Sequence, residues 1–492
     1  RKMAEWLTPV WILSAGTTLG LLFLLITWCL LYAVSRQSGH FVASSLSEGP
    51  LFPIFLLLIL LAAVNVITLP FAESPQQIIG CLSRHFSVGT HSLSHQVPAA
   101  DQTWQETPLD LSLRRNELRH LEFNSTGDLA IRFDPSPDQP NAQLELRGGE
   151  PYQWSRSVQS SGFLPAARVE RLLITNYGEE AVTLTISTTT DIRHPEARTI
   201  LVTAVGTVVL FVIFLLHTVL APKISAIALA TSKSEMAQPL FLIATIVGIV
   251  FVIFSIWLPY NTFGEDIKML KDAGLTTILV LAVVVSIWGA SNSLSEEIEG
   301  RTALTVLSKP IGRRQFVFGK FLGIIWTAAV LFILVGTVFL ITVSYKAYHD
   351  AYETAQSNTL TWQACHAELV HTAPGLLLAF FETIVLTSIS IAISTRLPMI
   401  PNFLLSFSFY VLGHLTPLIV QSSWGQFPPI VFMGRLIATV VPMLDYFNIQ
   451  SAIAGDIVVD PSYLAAALVY CALYSSVAML LALVLFEDRD LA

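Results

Sequence analysis

Nine stretches of roughly 20 apolar residues recur along this 492-residue chain, and a helix of that length crosses about 30 Å of hydrocarbon. They run from Trp6 to Val34, Leu51 to Ala72, Thr199 to Ala221, Pro239 to Leu258, Leu275 to Ala290, Phe321 to Tyr345, Pro374 to Ser394, Phe403 to Val420 and Tyr463 to Phe486. Such a chain has few ways to fold, because backbone in lipid must satisfy its own N–H and C=O groups as helix. Only 13% of the residues are charged, about half the fraction in soluble domains. The expected class is an α-helical polytopic membrane protein of about nine spans. Arg1 and Lys2 precede the first run as they would in a signal peptide. That run is longer than a signal-peptide core and is read as a retained anchor.

The net charge of −8 gives no basic field for nucleic acid, so the expected surroundings are a lipid bilayer. Four cysteines, with Cys29 and Cys471 inside apolar runs, argue against a disulfide scaffold or a thiolate metal site. Cys81 and Cys365 are read as unpaired thiols, a bridge between them being the alternative. Loop charge orients the spans. Arg301, Lys309, Arg313, Arg314 and Lys320 form the densest basic cluster between two runs and are placed in the cytoplasm, which puts residues 73–198 outside it. This segment has short alternating runs, Leu129 to Phe133, Ala142 to Gly148, Arg171 to Asn176 and Ala181 to Thr188. The last two flank a glycine-containing turn and read as a hairpin. The expected organisation is therefore N-terminal spans over 1–72, an inserted extracytoplasmic β-sandwich over 73–198, a third span over 199–221 and six further spans over 222–492.

The basic cluster sits in "SEEIEGRTALTVLSKPIGRRQFVFGKFLG", Ser295 to Gly323. Ser293 and Glu296 have capping-box spacing, and Glu296, Glu297 and Glu299 suit a helix N-terminus. Ala303, Leu304 and Leu307 recur at helical spacing and give a narrow apolar face. Pro310 ends that helix, Gly312 allows a turn, and a second helix from Arg313 feeds the next span. The pattern predicts an elbow at the membrane surface over 293–320. Its plain alternative is an interfacial loop whose arginines only fix topology.

Glu-x-x-Glu-Gly-Arg-Thr followed by Leu-Ser-Lys-Pro-Ile-Gly-Arg-Arg-Gln and Phe-Gly-Lys-Phe-Leu-Gly resembles the signature of type-2 ABC exporter permeases. The match covers Glu296, Glu299, Gly300, Arg301, Thr302, Leu307, Ser308, Pro310, Arg313, Arg314, Gly319 and Lys320. The resemblance implies that the elbow is a coupling helix docking on a separate ABC ATPase subunit, which alone binds ATP, and that two permease copies work as a dimer. Leu304 and Leu307 would then be packing contacts and Glu299, Arg301, Arg313 and Arg314 rim charges. The first three spans and the β-rich segment depart from the family's minimal pattern. No P-loop is legible: "GRRQFVFGK" has the wrong spacing and lacks the Ser/Thr that would hold magnesium. The expectation is a transport subunit with no cofactor and no catalytic residues of its own.

Glu382 and His414 fall within apolar runs, where an ionised group is costly unless paired. They could line a path, bond each other, or serve as structural glue, with Glu382 bonded to a hydroxyl such as Ser388. His217 is read as interfacial, and no metal spacing surrounds any of the three. Ile267, Leu270 and Lys271 suit a short surface helix joining two spans. Residues 440–456 are too interrupted to span and suit a re-entrant hairpin. Gly16-x-x-x-Gly20 permits close helix approach, either to a second copy or internally. An exporter permease in the cell membrane is the leading functional reading. A membrane-anchored receptor whose β-domain binds a ligand or envelope partner is the alternative.

Overall fold

The computed structural model describes residues 4–47, 49–83, 89–99, 105–107, 113–114, 117–133, 143–155, 168–169, 172–176, 180–192, 194–258, 266–296, 311–354, 360–421, 432, 440–449 and 459–487. The chain divides into two compact units, one formed by Arg1–Glu73 with Val202–Ala492 and the other by Ser74–Leu201. Among the described residues the helices are α1 (Ala4–Val34), α2 (Arg36–Ser47), α3 (Leu51–Thr68), α4 (Pro75–Leu82), α5 (Arg198–Leu220), α6 (Pro222–Met236), α7 (Pro239–Phe254), α8 (Asp266–Ala290), α9 (Arg313–Glu353), α10 (Trp362–Ser394), α11 (Met399–Gln421) and α12 (Pro461–Glu487). Only α4 lies wholly in the second unit.

Among the described residues, eight helices are long and apolar enough to cross a membrane: α1, α3, α5, α7, α8, α9, α10 and α12. The eighth expected run, Phe403 to Val420, falls in α11, whose described apolar part, Met399–Leu415, is shorter than that length. Burial sorts the eight. In the most apolar window, 72% of α10 and 61% of α9 is buried, against 11% of α1. The core is therefore built from α8, α9 and α10, with Val330, Val335, Phe339, Leu378 and Val385 at its centre. Outer helices turn apolar side chains outward, such as Leu22, Phe23 and Ile26 on α1 and Leu473, Val477 and Leu480 on α12.

Three helices exceed their predicted runs. The surface helix expected around Ile267, Leu270 and Lys271 is the opening of α8 itself, with Leu270 and Lys271 fully buried. α9 continues to Glu353, beyond Lys346, and α10 begins at Trp362 and runs through Pro374. Charge and proline mark helix ends in water. Inside a bundle the charges are paired, and a freed carbonyl finds other partners.

Close approach sets two seams. A Cβ on Gly319 would lie 2.6 Å from Ile227 Cβ, and one on Gly323 2.6 Å from Thr231 Cβ and 2.7 Å from Ala228 O, so this Gly-x-x-x-Gly lets α6 lie directly on α9. Gly20 plays the same part internally between α1 and α5, with Ala204 O 2.9 Å from the added atom. All four cysteines are free thiols, with Cys365 and Cys471 buried.

In the second unit, β1 (Thr90–Val97), β10 (Val182–Thr190), β4 (Leu118–Ser125) and β7 (Tyr152–Ser155) form one antiparallel sheet in that order. A second sheet has the order β2 (Gln105–Thr107), β9 (Leu172–Asn176), β5 (Leu129–Phe133) and β6 (Gln143–Leu146), and β3 (Leu113–Arg114) pairs with β8 (Arg168–Val169). Phe123, Trp154, Leu184 and Ile186 from the first large sheet share a core with Leu129, Ile131, Leu146 and Ile174 from the second, the arrangement of a sandwich. The predicted hairpin is not formed. β9 pairs with β2 and β5, while β10 pairs with β1 and β4. Both strands are central in their own sheets, so neither has an edge free for the other. Alternating burial of Val182, Leu184, Ile186 and Thr188 reports an inward face but not a partner.

Candidate functional site

The elbow's two flanks are described, while 297–310 lies outside the described residues, and with it Glu299, Gly300, Arg301, Thr302, Leu304, Leu307 and Pro310. The first flank corrects the expected capping box. Ser291–Glu296 is a π-helical turn continuing α8, so no helix begins at Ser293, and of Glu296 only the backbone is described. Ser291 and Ser293 are buried, and Ser291 Oγ donates to Ile287 O at 2.9 Å within the helix. This Ser-x-x-Glu spacing therefore lies within a turn that continues one helix rather than at the start of another.

The second flank is the start of α9. Gly312 N donates to Gln315 Oε1 at 3.2 Å, which satisfies one of the amides a helix N-terminus leaves open. Arg313 Nη1 donates to Glu487 O at 2.8 Å, at the end of α12, and Arg314 is exposed. Lys223, Gly312, Arg313, Arg314, Gln315, Leu483 and Glu487 line an open cleft of about 590 Å3. One turn on, Lys320 is buried with its Nζ 5.6 Å from the centre of the Phe316 ring, and the Gly319 and Gly323 seam follows. The cleft gathers three cations, Lys223 of α6 with Arg313 and Arg314 of α9, and one carboxylate, Glu487 of α12.

Sequence reasoning missed what holds the first flank. Asn402, on α11 and 0% exposed, donates through Nδ2 to Ser291 Oγ at 2.7 Å and to Ser390 Oγ at 3.1 Å. Its Oδ1 accepts from Ser406 Oγ at 3.1 Å. One amide thus ties α8, α10 and α11 together at the root of the elbow. The available signal was a lone Asn amid "MIPNFLLSF", with serines on facing runs.

Glu382 and His414 are brought together: His414 Nε2 lies 2.9 Å from Glu382 Oε1, with Tyr410 edge-on to the imidazole at 5.0 Å. Ser388 bonds Val385 O instead. The pair joins α10 to α11 and gives a partner to each of two groups that would be costly alone. His217, in the last turn of α5, has no partner for either ring nitrogen among the described residues.

A second polar centre lies at the far end of α9. Lys271 of α8, 1% exposed, is ion-paired with Glu368 of α10. Lys346, equally buried, bonds Asp350 Oδ1 at 2.9 Å and Ile256 O at 3.1 Å and lies 3.9 Å from Asp266 Oδ2. His349, Asp350 and Glu353 bring three possible metal-ligand atoms within 4.8 Å of one another. The Lys346 ammonium already occupies the Asp350 carboxylate, so the chemistry is that of an ion-pair cluster rather than a metal centre. Residues 440–449 hold one 3-10 turn, Leu444–Phe447, tied to α12 by Met443 N to Tyr470 Oη at 2.9 Å, Tyr463 Oη to Tyr446 O at 2.7 Å and Tyr474 Oη to Val440 O at 2.7 Å.

No protein-family model matches this chain, and no curated protein matches it in sequence.

Proposed function

We propose that this chain is a polytopic membrane protein and the permease subunit of an ABC exporter. It couples ATP hydrolysis by a separate ATPase subunit to export of a substrate across the cytoplasmic membrane. Membrane embedding is supported by eight long apolar helices whose outer faces carry large aliphatic side chains, a surface that water solvates poorly at such extent. α9 supports two-sidedness. From Arg313 to Lys346 it rises about 50 Å, well beyond the hydrocarbon thickness, so its basic foot and its ion-paired far end fit opposite sides. The basic foot belongs in the cytoplasm by the loop-charge rule, and 73–198 then lies outside it.

The observation that carries the coupling reading is the anchoring of both elbow flanks. Ser291 is pinned by Asn402, and the start of α9 is clamped along α6 through Gly319 and Gly323. A segment whose two feet are fixed transmits displacement rather than absorbing it. The motif residues Glu296, Glu299, Gly300, Arg301, Thr302, Leu304, Leu307 and Pro310 would present the ATPase-docking face, with Arg313, Arg314 and Lys320 at its exit. Closure of two ATPase subunits would draw the elbows of two copies together. α8 and α10, joined through Asn402 at one end and by the Lys271–Glu368 pair at the other, with α9 tied to α8 by Lys346 and Asp266, would then move as one block against the outer helices.

The test is co-purification with ABC ATPases encoded beside this chain, comparing wild type with Leu304→Asp, Arg314→Glu. Arg314 is the cleaner charge to reverse, because Arg313 also bonds Glu487 O. Loss of the ATPase from the double variant supports docking at the elbow. Unchanged association counts against it.

A further inference from the structure

Between α1, α2, α3 and α5 the helical unit encloses a half-open groove of about 340 Å3, with Leu24, Trp28, Val42, Phe52, Phe55 and Phe211 among its walls. Its polar side chains are already bonded elsewhere. Trp28 Nε1 donates to Gly39 O at 3.0 Å, and Thr27 Oγ1 to Leu24 O at 2.8 Å. Water needs two to four polar partners to occupy a buried site and finds none on these side chains. The volume is more than twice that of an apolar cavity of about 150 Å3 that takes a benzene-sized molecule. Left empty, walls of this kind forfeit their dispersion contacts, so the complementary occupant is hydrocarbon.

α2 indicates what is attached to that hydrocarbon. It places Val42 and Ala43 in the groove wall. Arg36 is exposed six residues earlier, about 9 Å along the helix. From Arg36 to Ser47 the helix contains no carboxylate, and His40 is its other ionisable group. A cation on an amphipathic helix, beside an apolar slot at the end of a span, is complementary to an acyl chain with an anionic head. We propose that the groove holds one acyl chain of an anionic bilayer phospholipid, with Arg36 facing its headgroup. This rests on the membrane reading above and is independent of any ATPase.

The test uses the full chain in vesicles of phosphatidylethanolamine and phosphatidylglycerol, with a trace of phosphatidylglycerol bearing a diazirine at its acyl terminus. After illumination, labelled peptides are mapped by mass spectrometry. The expected result is labelling of α1 and α3 peptides at the groove at least fivefold above the outward face of α12. It falls to the α12 level in Ala43→Trp, which fills the slot, and is unchanged in Val477→Trp, which adds the same side chain at a position 67% exposed on α12. Arg36→Ala, or a phosphatidylcholine probe, should reduce groove labelling about threefold. Groove labelling no higher than that of α12, or insensitive to Ala43→Trp, overturns the proposal and leaves the membrane reading standing. Equal labelling by phosphatidylcholine overturns the anionic assignment. No labelling on any helix removes the membrane reading as well.

Discussion

Replacing Asn402 with leucine tests whether one buried amide holds the root of the elbow. Leucine keeps the branching of asparagine but carries two methyl groups in place of the amide, so the change removes hydrogen bonds without opening a cavity. Three partners are lost: Ser291, Ser390 and Ser406. Two of the three bonds, to Ser291 and Ser390, cross between helices, and side-chain hydrogen bonds between membrane helices average about 0.6 kcal/mol each, so the loss at the junction is about 1.2 kcal/mol. Since about 1.4 kcal/mol is tenfold in an equilibrium constant, local opening at the junction should rise about sevenfold. Hydrogen exchange by mass spectrometry in lipid nanodiscs reads this directly. Peptides covering Ser291 to Glu296 and Met399 to Ser406 should exchange about sevenfold faster, while the middle of α9 stays at the wild-type rate. Ser291 keeps its bond to Ile287 O, so the loosening should appear between helices and not as melting of α8. Wild-type exchange at the junction would refute the hub, and acceleration throughout the bundle would show that the effect is not local.

Gly323→Ile places a branched side chain where even Cβ would lie 2.6 Å from Thr231 Cβ. Carbon contacts settle near 3.5–4.0 Å, so α6 and α9 must part by about 1 Å at a cost of about 1–3 kcal/mol. Thermal unfolding in detergent should register it, and an unchanged midpoint would deny the seam. Lys346→Met leaves Asp350 and Asp266 without their buried cation and should cost about 3–5 kcal/mol, measured by denaturant unfolding. Adding Asp350→Leu should recover part of that, and a double variant no better than the single would show that the pair is not the source. Leu184→Ala removes a fully buried side chain of β10 and should cost the sandwich about 2–5 kcal/mol. It would be seen as lost amide protection in β10 and β4 with the helical unit unaffected.

The sequence made the apolar runs easy to read, because 20 consecutive apolar residues leave little choice of backbone. Their ends were not. Lys271 and Lys346 look like loop residues, yet each is neutralised by a carboxylate more than three residues away, and the helices run on through them. Ser293 and Glu296 were ambiguous for a related reason: the same spacing occurs inside a helix that is simply continuing. Strand alternation in β10 revealed which face is buried, whereas sheet membership depends on which edges other strands have already taken. Glu382 and His414 stood out individually, but their meeting across α10 and α11 is a tertiary fact. Asn402 was passed over because a single amide in an apolar run carries no spacing signal. Gly319 and Gly323 sat within the quoted motif, where their packing role was hidden by its likeness to a family pattern.

In the proposed function the segment joining α8 to α9 bears on an ATP-binding partner. A photoreactive amino acid at Leu307, introduced into the full chain in inverted membrane vesicles together with the neighbouring ATPases, tests it most directly. The account predicts a covalent adduct with an ATPase chain whose yield changes when ATP is added. An adduct formed only with this chain's own helices, or with lipid, would contradict it.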